Sequence, residues 1–216
     1  MYTSTVSDGT MKRGDEPSIA DRNRAKFLQS LDKKPNDAVL VQLDYNSDDF
    51  CRYTVVDTSA AGEGMTRAGR IADGIATQSV GLALFLPLAD CIGAVLYDPD
   101  HEVLMLTHLG RHNLEQDGGV KSVEFLVQQF GTNSSRLEVV FSPSAGKENY
   151  PLFAFDGKSL ADVATAQLMT AGVSRSAIKH SPYDTTTDQN YFSHSEFLKG
   201  NRETDGRFAI VAMIDP

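Results

Sequence analysis

Two short stretches hold the residue types best suited to chemistry. In Leu88-Ala89-Asp90-Cys91 an apolar run stops at an acid and a thiol before another apolar run begins. In Thr107-His108-Leu109-Gly110-Arg111-His112 an apolar run ends in imidazole, glycine and guanidinium. Cys91 and His108 are 17 residues apart, and two strands joined by a turn can bring such residues to neighbouring strand ends. Strand ends are common places to hold a site. A thiolate and an imidazole there support two mechanisms. With a third ligand they bind zinc and leave a position for water. Without metal they form a nucleophile and its base. A buried structural cysteine beside an unrelated histidine meets the same pattern.

The other candidates carry less. Cys51 sits between Asp49-Phe50 and Arg52-Tyr53 and is open as ligand, core thiol or surface thiol. His101 follows Pro99-Asp100 in a turn and is expected in solvent. His180 ends a predicted strand, with no partner evident in the sequence. His194, in Tyr191-Phe192-Ser193-His194-Ser195, either lines a pocket or covers the core. Gly62 and Gly64 lack the strand–helix setting of a dinucleotide loop. There is no Walker loop and no Gly-x-Ser-x-Gly elbow.

The elements that must position these residues follow from periodicity and turn signals. Ser18 is a candidate N-cap for a helix through Ala20, Ala25, Phe27, Leu28 and Leu31. Strands are expected at 38–41, 51–56, 71–77, 80–88, 91–97, 102–107, 137–141 and 208–214, with a short one beginning at Ile178. The spacing of Val120, Val123, Phe125, Leu126, Val127 and Phe130 predicts a helix, and 160–169 a second, capped by Asp156 or Ser159. The fold class is α/β (α+β): a single layered domain over 1–216, with a strand-rich central sheet and flanking helices.

Composition bounds the partners. The chain has 216 residues and a net charge of −9, and basic residues do not cluster with aromatics, so nucleic acid and anionic lipid are not expected partners. No stretch has the apolar length of a membrane helix and the N-terminus has no apolar signal core. The expected compartment is the cytoplasm, where Cys51 and Cys91 would be thiols, ligands or nucleophiles rather than a disulfide. The sequence does not fix an oligomeric state.

Several motifs in order give the chain a family likeness. They are Asn23-Arg24, Ala72-Asp73, Ala89-Asp90-Cys91, His108-Leu109-Gly110, Ser142-Pro143-Ser144-Ala145-Gly146 followed by Tyr150, Phe192-Ser193, and Gly206-Arg207-Phe208-Ala209. The chain resembles the family called multicopper polyphenol oxidases or laccase-domain proteins, better described as purine nucleoside phosphorylases. That resemblance implies a mononuclear zinc, rather than copper, held by His, Cys and His. It implies phosphorolysis of purine nucleosides such as adenosine, inosine and guanosine, methylthioadenosine among the substrates, and adenosine deamination. Nucleoside and phosphate would be the small-molecule partners. Cys91 matches the cysteine ligand and His108 the second histidine.

The departures fall at the site. The first histidine, in Gln-x-His-Gly, is replaced by Gln42-Leu43-Asp44-Tyr45 and what looks like an insertion. Cys51 is then the expected third ligand, with Asp49 and Asp44 as alternatives. After Gly110, Arg111 stands for the family's tryptophan and His112 for its arginine, so these two are expected to meet phosphate or ribose. Other family arginines read Val6 and Ser195 here. Three functions follow: a zinc-dependent purine nucleoside-processing enzyme, a thiol hydrolase using Cys91 and His108, or a non-catalytic descendant on the same fold.

Overall fold

The computed structural model describes residues 1–13 and 17–215. Its strands divide between two mixed sheets rather than one. The four-stranded sheet has the order β1 (Tyr2–Thr3), β10 (Phe208–Ala212), β5 (Ala83–Leu88), β2 (Ala38–Leu40). The six-stranded sheet has the order β3 (Tyr53–Val55), β4 (Gly74–Thr77), β7 (Val103–Leu109), β6 (Ile92–Asp98), β8 (Glu138–Phe141), β9 (Ile178–Lys179). β2 runs parallel to β5, β3 to β4 and β8 to β9, and the other pairs are antiparallel.

The period of two in the strands divides their side chains among three cores. Leu84, Leu86 and Leu88 of β5 face Leu104 and Leu106 of β7 and Val95 of β6 between the two sheets. Val103, Met105 and Leu109 of β7, with Ile92, Ala94 and Leu96 of β6, face the other way. They pack against Val123 and Leu126 of α3 (Gly118–Phe130) and Val163, Ala164 and Leu168 of α4 (Leu160–Thr170). Ala83 and Phe85 meet Phe27 and Leu28 of α1 (Pro17–Gln29) on the outer side of the smaller sheet. The result is four layers, helix–sheet–sheet–helix, as the layered α/β expectation required.

The Ser159 hydroxyl caps α4 by accepting from Asp162 N–H. The Ser18 cap expected from the sequence falls on a side chain outside the described residues. Two five-residue helices, α2 (Arg111–Glu115) and α5 (His194–Leu198), occupy stretches for which the sequence predicts no helix or strand. β3 starts beyond Cys51, which therefore lies outside the strand expected to hold it. His180 has a partner after all: its Nε2 lies 3.0 Å from Thr165 Oγ1, and its ring stacks on Phe141. His101 is exposed, as expected, and pairs with Asp98 at 2.9 Å. Among the described residues no helix is long and apolar enough to cross a membrane.

Candidate functional site

The layer between the sheets runs out at the start of β6 and the end of β7, and a cavity of about 700 Å³ opens there. The β6–β7 ladder pairs Gly93 with His108 and Ile92 with Leu109. One step beyond it, Cys91 faces Gly110. Alternation then puts Cys91, Gly93, His108 and Gly110 on one face of the sheet. The two chemical side chains occupy one diagonal of this square and two glycines the other.

The glycine of His108-Leu109-Gly110 has a steric reason. A Cβ on Gly110 would lie 2.6 Å from His108 Cε1, 3.0 Å from its Nε2 and 2.8 Å from Cys91 Sγ. The same three distances show that thiol and imidazole converge on one point. His108 is 6% exposed, and its Nε2 has no hydrogen-bond partner among the described residues. An unpartnered buried ring nitrogen is costly in a structural residue and useful in a site.

Two acids brace the pair. Asp90 adopts φ 70°, a left-handed conformation, at the sharp corner where Cys91 N–H donates to Ala89 O. Its carboxylate accepts from Thr185 Oγ1 at 2.9 Å and from Ser195 N–H at 2.7 Å, and its carbonyl accepts from Ala145 N–H at 2.7 Å. The corner that aims Cys91 is thus tied to two loops and to the first turn of α5. Asp73, also buried, gives its carbonyl to His108 N–H at 2.8 Å and its carboxylate to Arg52, with Nε at 2.7 Å and Nη2 at 3.1 Å.

Burial dominates the electrostatics. It pushes the Cys91 thiol up to about 12, aided by the neighbouring Asp90 charge. It lowers His108 to about 4, although Asp73 works the other way. Both groups are therefore neutral at neutral pH in the metal-free protein.

The cavity also gathers cations that sequence spacing does not connect: Lys12, Arg13, Arg24, Arg111 and Arg207. Arg24 is 4% exposed; its Nε and Nη2 donate to Met11 O, while Nη1 has no hydrogen-bond partner among the described residues. Burial lowers its pKa to about 10. Arg207, Lys12 and His194 all pair with Asp205. Burial works against the Asp205 carboxylate, but these partners outweigh it and hold its pKa well below the usual range.

The expected site residues divide. Cys91, His108, Arg111, His112 and Asp44 all line the cavity. The structure does not bring Cys51 to them: its Sγ lies against the carbonyl oxygens of Asn113 and Gln116, at 3.9 and 3.7 Å. Asp49 is exposed and accepts from Cys51 N–H. Asp44 accepts from Asn46 N–H and lies 3.8 Å from Arg52. Among the described residues no group of three or more His, Cys, Asp and Glu side chains is placed to hold a metal ion. A zinc held by three protein ligands thus does not fit the side chains as they stand.

The segment after Gln42 forms the cavity's mouth. Tyr45 sets its ring edge-on to His108, centroids 6.4 Å apart. Phe50 stacks on His112 at 4.9 Å. α2 holds this segment: Asn113 Nδ2 donates to Phe50 O at 2.7 Å and Gln116 Nε2 to Asp48 O at 2.7 Å. Tyr45 and Phe50 were not singled out from the sequence, because nothing in their spacing links them to His108 or His112.

A two-sheet α/β fold with a thiol–imidazole centre at the end of its inter-sheet layer defines the class. The model of the family described as multi-copper polyphenol oxidoreductase laccase matches residues 5–159, and the chain belongs to that family. A purine nucleoside phosphorylase of Corynebacterium glutamicum is 27% identical over 137 residues, 63% of this chain and 52% of that protein. The chain thus spans about half the length of this curated relative. Two solved structures share the fold. YlmD of Geobacillus stearothermophilus has a TM-score of 0.84 at 21% identity, over 96% of this chain and 85% of that one. The hypothetical protein YfiH of Bacillus licheniformis has 0.82 at 20%, over 95% and 86%.

Proposed function

We propose that the protein binds and processes purine nucleosides in the cavity between its sheets. The observation that carries this reading is the convergence of the Cys91 thiol and the unpartnered His108 Nε2 on one point in a cavity of about 700 Å³ lined by arginines. That volume suits a nucleoside-sized ligand. The relative named as a purine nucleoside phosphorylase supports the substrate class.

In the proposed reaction an oxygen of phosphate, or of water, bonds to the anomeric carbon as the glycosidic bond breaks, and the purine leaves with a proton. Arg24, whose Nη1 has no hydrogen-bond partner among the described residues and lies 4.0 Å from Asp21, and Arg111 at the mouth are the groups suited to hold the phosphate, since guanidinium matches its oxygens in pairs. His112 would meet the ribose. Neutral His108 offers one nitrogen as donor or acceptor to the substrate. A thiolate–imidazole pair is a zinc-type donor set.

The reading is tested by incubating the protein with adenosine, inosine and guanosine, with and without phosphate and added zinc, and following free base by chromatography. Base release that requires phosphate and is lost in His108→Ala and Arg24→Ala is expected. No release and no nucleoside binding by calorimetry would overturn the reading.

The thiol-hydrolase alternative makes a different demand. It needs Cys91 as thiolate, and burial opposes that. Alkylation of metal-free protein by iodoacetamide at about pH 7.5 is expected to be much slower at Cys91 than for a free thiol of pKa about 8.5. Rapid alkylation there would revive the alternative.

A further inference from the structure

We infer that Tyr45 occupies the place beside Cys91 and His108 that a third metal-binding side chain would need, leaving a two-donor centre from which zinc exchanges readily. Among the described residues, the acids and histidines that line the cavity besides His108 are Asp44, Asp73, Asp90, His112 and His194. Each is committed elsewhere.

Both carboxylate oxygens of Asp73 accept from Arg52. Both of Asp90 accept, one from Thr185 and one from Ser195. Asp44 turns to Asn46 N–H and Arg52. His112 stacks on Phe50 with Nε2 3.3 Å from Arg111, and His194 pairs with Asp205 at 2.8 Å. Freeing any one of them would break a bond that shapes the cavity.

From the Gln42 segment Tyr45 sets its ring edge-on to that of His108, with the centroids 6.4 Å apart, and both line the cavity with Cys91. A neutral phenol is a poor zinc donor beside the thiolate, imidazole and carboxylate groups that zinc sites use. Catalytic zinc sites keep three protein ligands and leave the fourth position to water. With two, affinity falls, and the ion is held firmly only when a bound molecule adds a donor. The inference takes the location of the site from the proposed function but does not need turnover.

The test is zinc retention by the full chain. The protein is loaded with zinc, dialysed against a moderate chelator and assayed by plasma mass spectrometry. Cobalt(II) titration reads the thiolate-to-metal absorption band in parallel. The expected result is that the wild type loses its zinc and binds cobalt weakly. Tyr45→His should bind at least about 10–100-fold more tightly, since even outer-shell changes alter affinity by that much. Cys91→Ser should abolish the cobalt band.

One zinc per wild-type chain surviving dialysis would overturn the inference without any variant. So would a folded Tyr45→His protein, checked by circular dichroism, that binds no better than wild type. Nucleoside calorimetry on metal-free protein separates the two readings: no binding there counts against the proposed function and leaves the metal result to be judged alone.

Discussion

The floor and the mouth of the cavity are built in different ways. The floor is Asp73, Asp90, Cys91 and His108, placed by sheet register at the ends of β4, β5, β6 and β7. Its acids and His108 are nearly inaccessible, and each backbone corner is bonded to another segment. The mouth is the segment 44–50 laid over α2. It is held by side-chain-to-backbone bonds from Asn113 and Gln116, and Tyr45 is 62% exposed. Moving a floor residue means disturbing the ladder that holds two cores. Moving the mouth means breaking a few local bonds. Affinity and specificity can therefore be altered at the mouth while stability is controlled from the floor.

The sharpest way to break that contrast is at Asp90. Asp90→Ala removes two bonds to a carboxylate, strands the Ser195 N–H and Thr185 hydroxyl, and keeps a side chain at φ 70°. The expected loss is about 3 kcal/mol in urea unfolding. Asp90→Asn keeps an acceptor and tolerates the left-handed conformation, so it should cost clearly less. Equal losses would mean that the corner is not held by its side chain.

Gly110→Ala comes next. Its methyl would overlap both Cys91 Sγ and His108, which must shift. The expected cost is about 1–3 kcal/mol for overpacking, with cobalt binding lost along with it. A folded variant with an unaltered cobalt band would show that the pair does not converge as described.

The floor could be read in the sequence because strand chemistry is local. Nearly continuous apolar runs mark Val103–Leu109 and Ile92–Asp98 as strands buried on both faces, and Cys91 and His108 fall where the runs begin and end. The basic side of the cavity could not. Lys12, Arg13 and Arg24 come from one end of the chain and Arg207 from the other, joined by the pairing of β1 with β10. No spacing rule links residues so far apart. α2 was missed because five residues carry too little periodicity. Cys51 was misplaced because its strand begins later, and its local Asx-type bond to Asp49 sets its direction.

At the mouth, Asn113→Ala should be milder than either floor change. It removes the bond to Phe50 O and a longer one, 3.3 Å, to Tyr53 Oη, for an expected loss of about 1 kcal/mol. The distinguishing readout is local: hydrogen exchange should quicken in 44–50 while the β6–β7 ladder keeps its protection. Faster exchange in both would mean that mouth and floor form one cooperative unit.

The smallest effect is expected at the cationic rim, where it carries a pH signature. Asp205 is the shared partner of Lys12, His194 and Arg207, and its carboxyl pKa is held below the unfolded value. A depressed carboxyl pKa stabilises the fold above the unfolded pKa, and that stability is lost as pH falls through the folded one. Asp205→Asn should therefore be less stable than wild type by about 1 kcal/mol at neutral pH. The gap should stay constant down to about pH 5, then narrow as the carboxylate is protonated. Paired urea titrations of the two proteins at about pH 7, 5 and 3 read it directly. A gap that does not change with pH would mean that Asp205 contributes packing and neutral hydrogen bonds rather than charge. Arg207 would then be held in place by shape rather than by that charge.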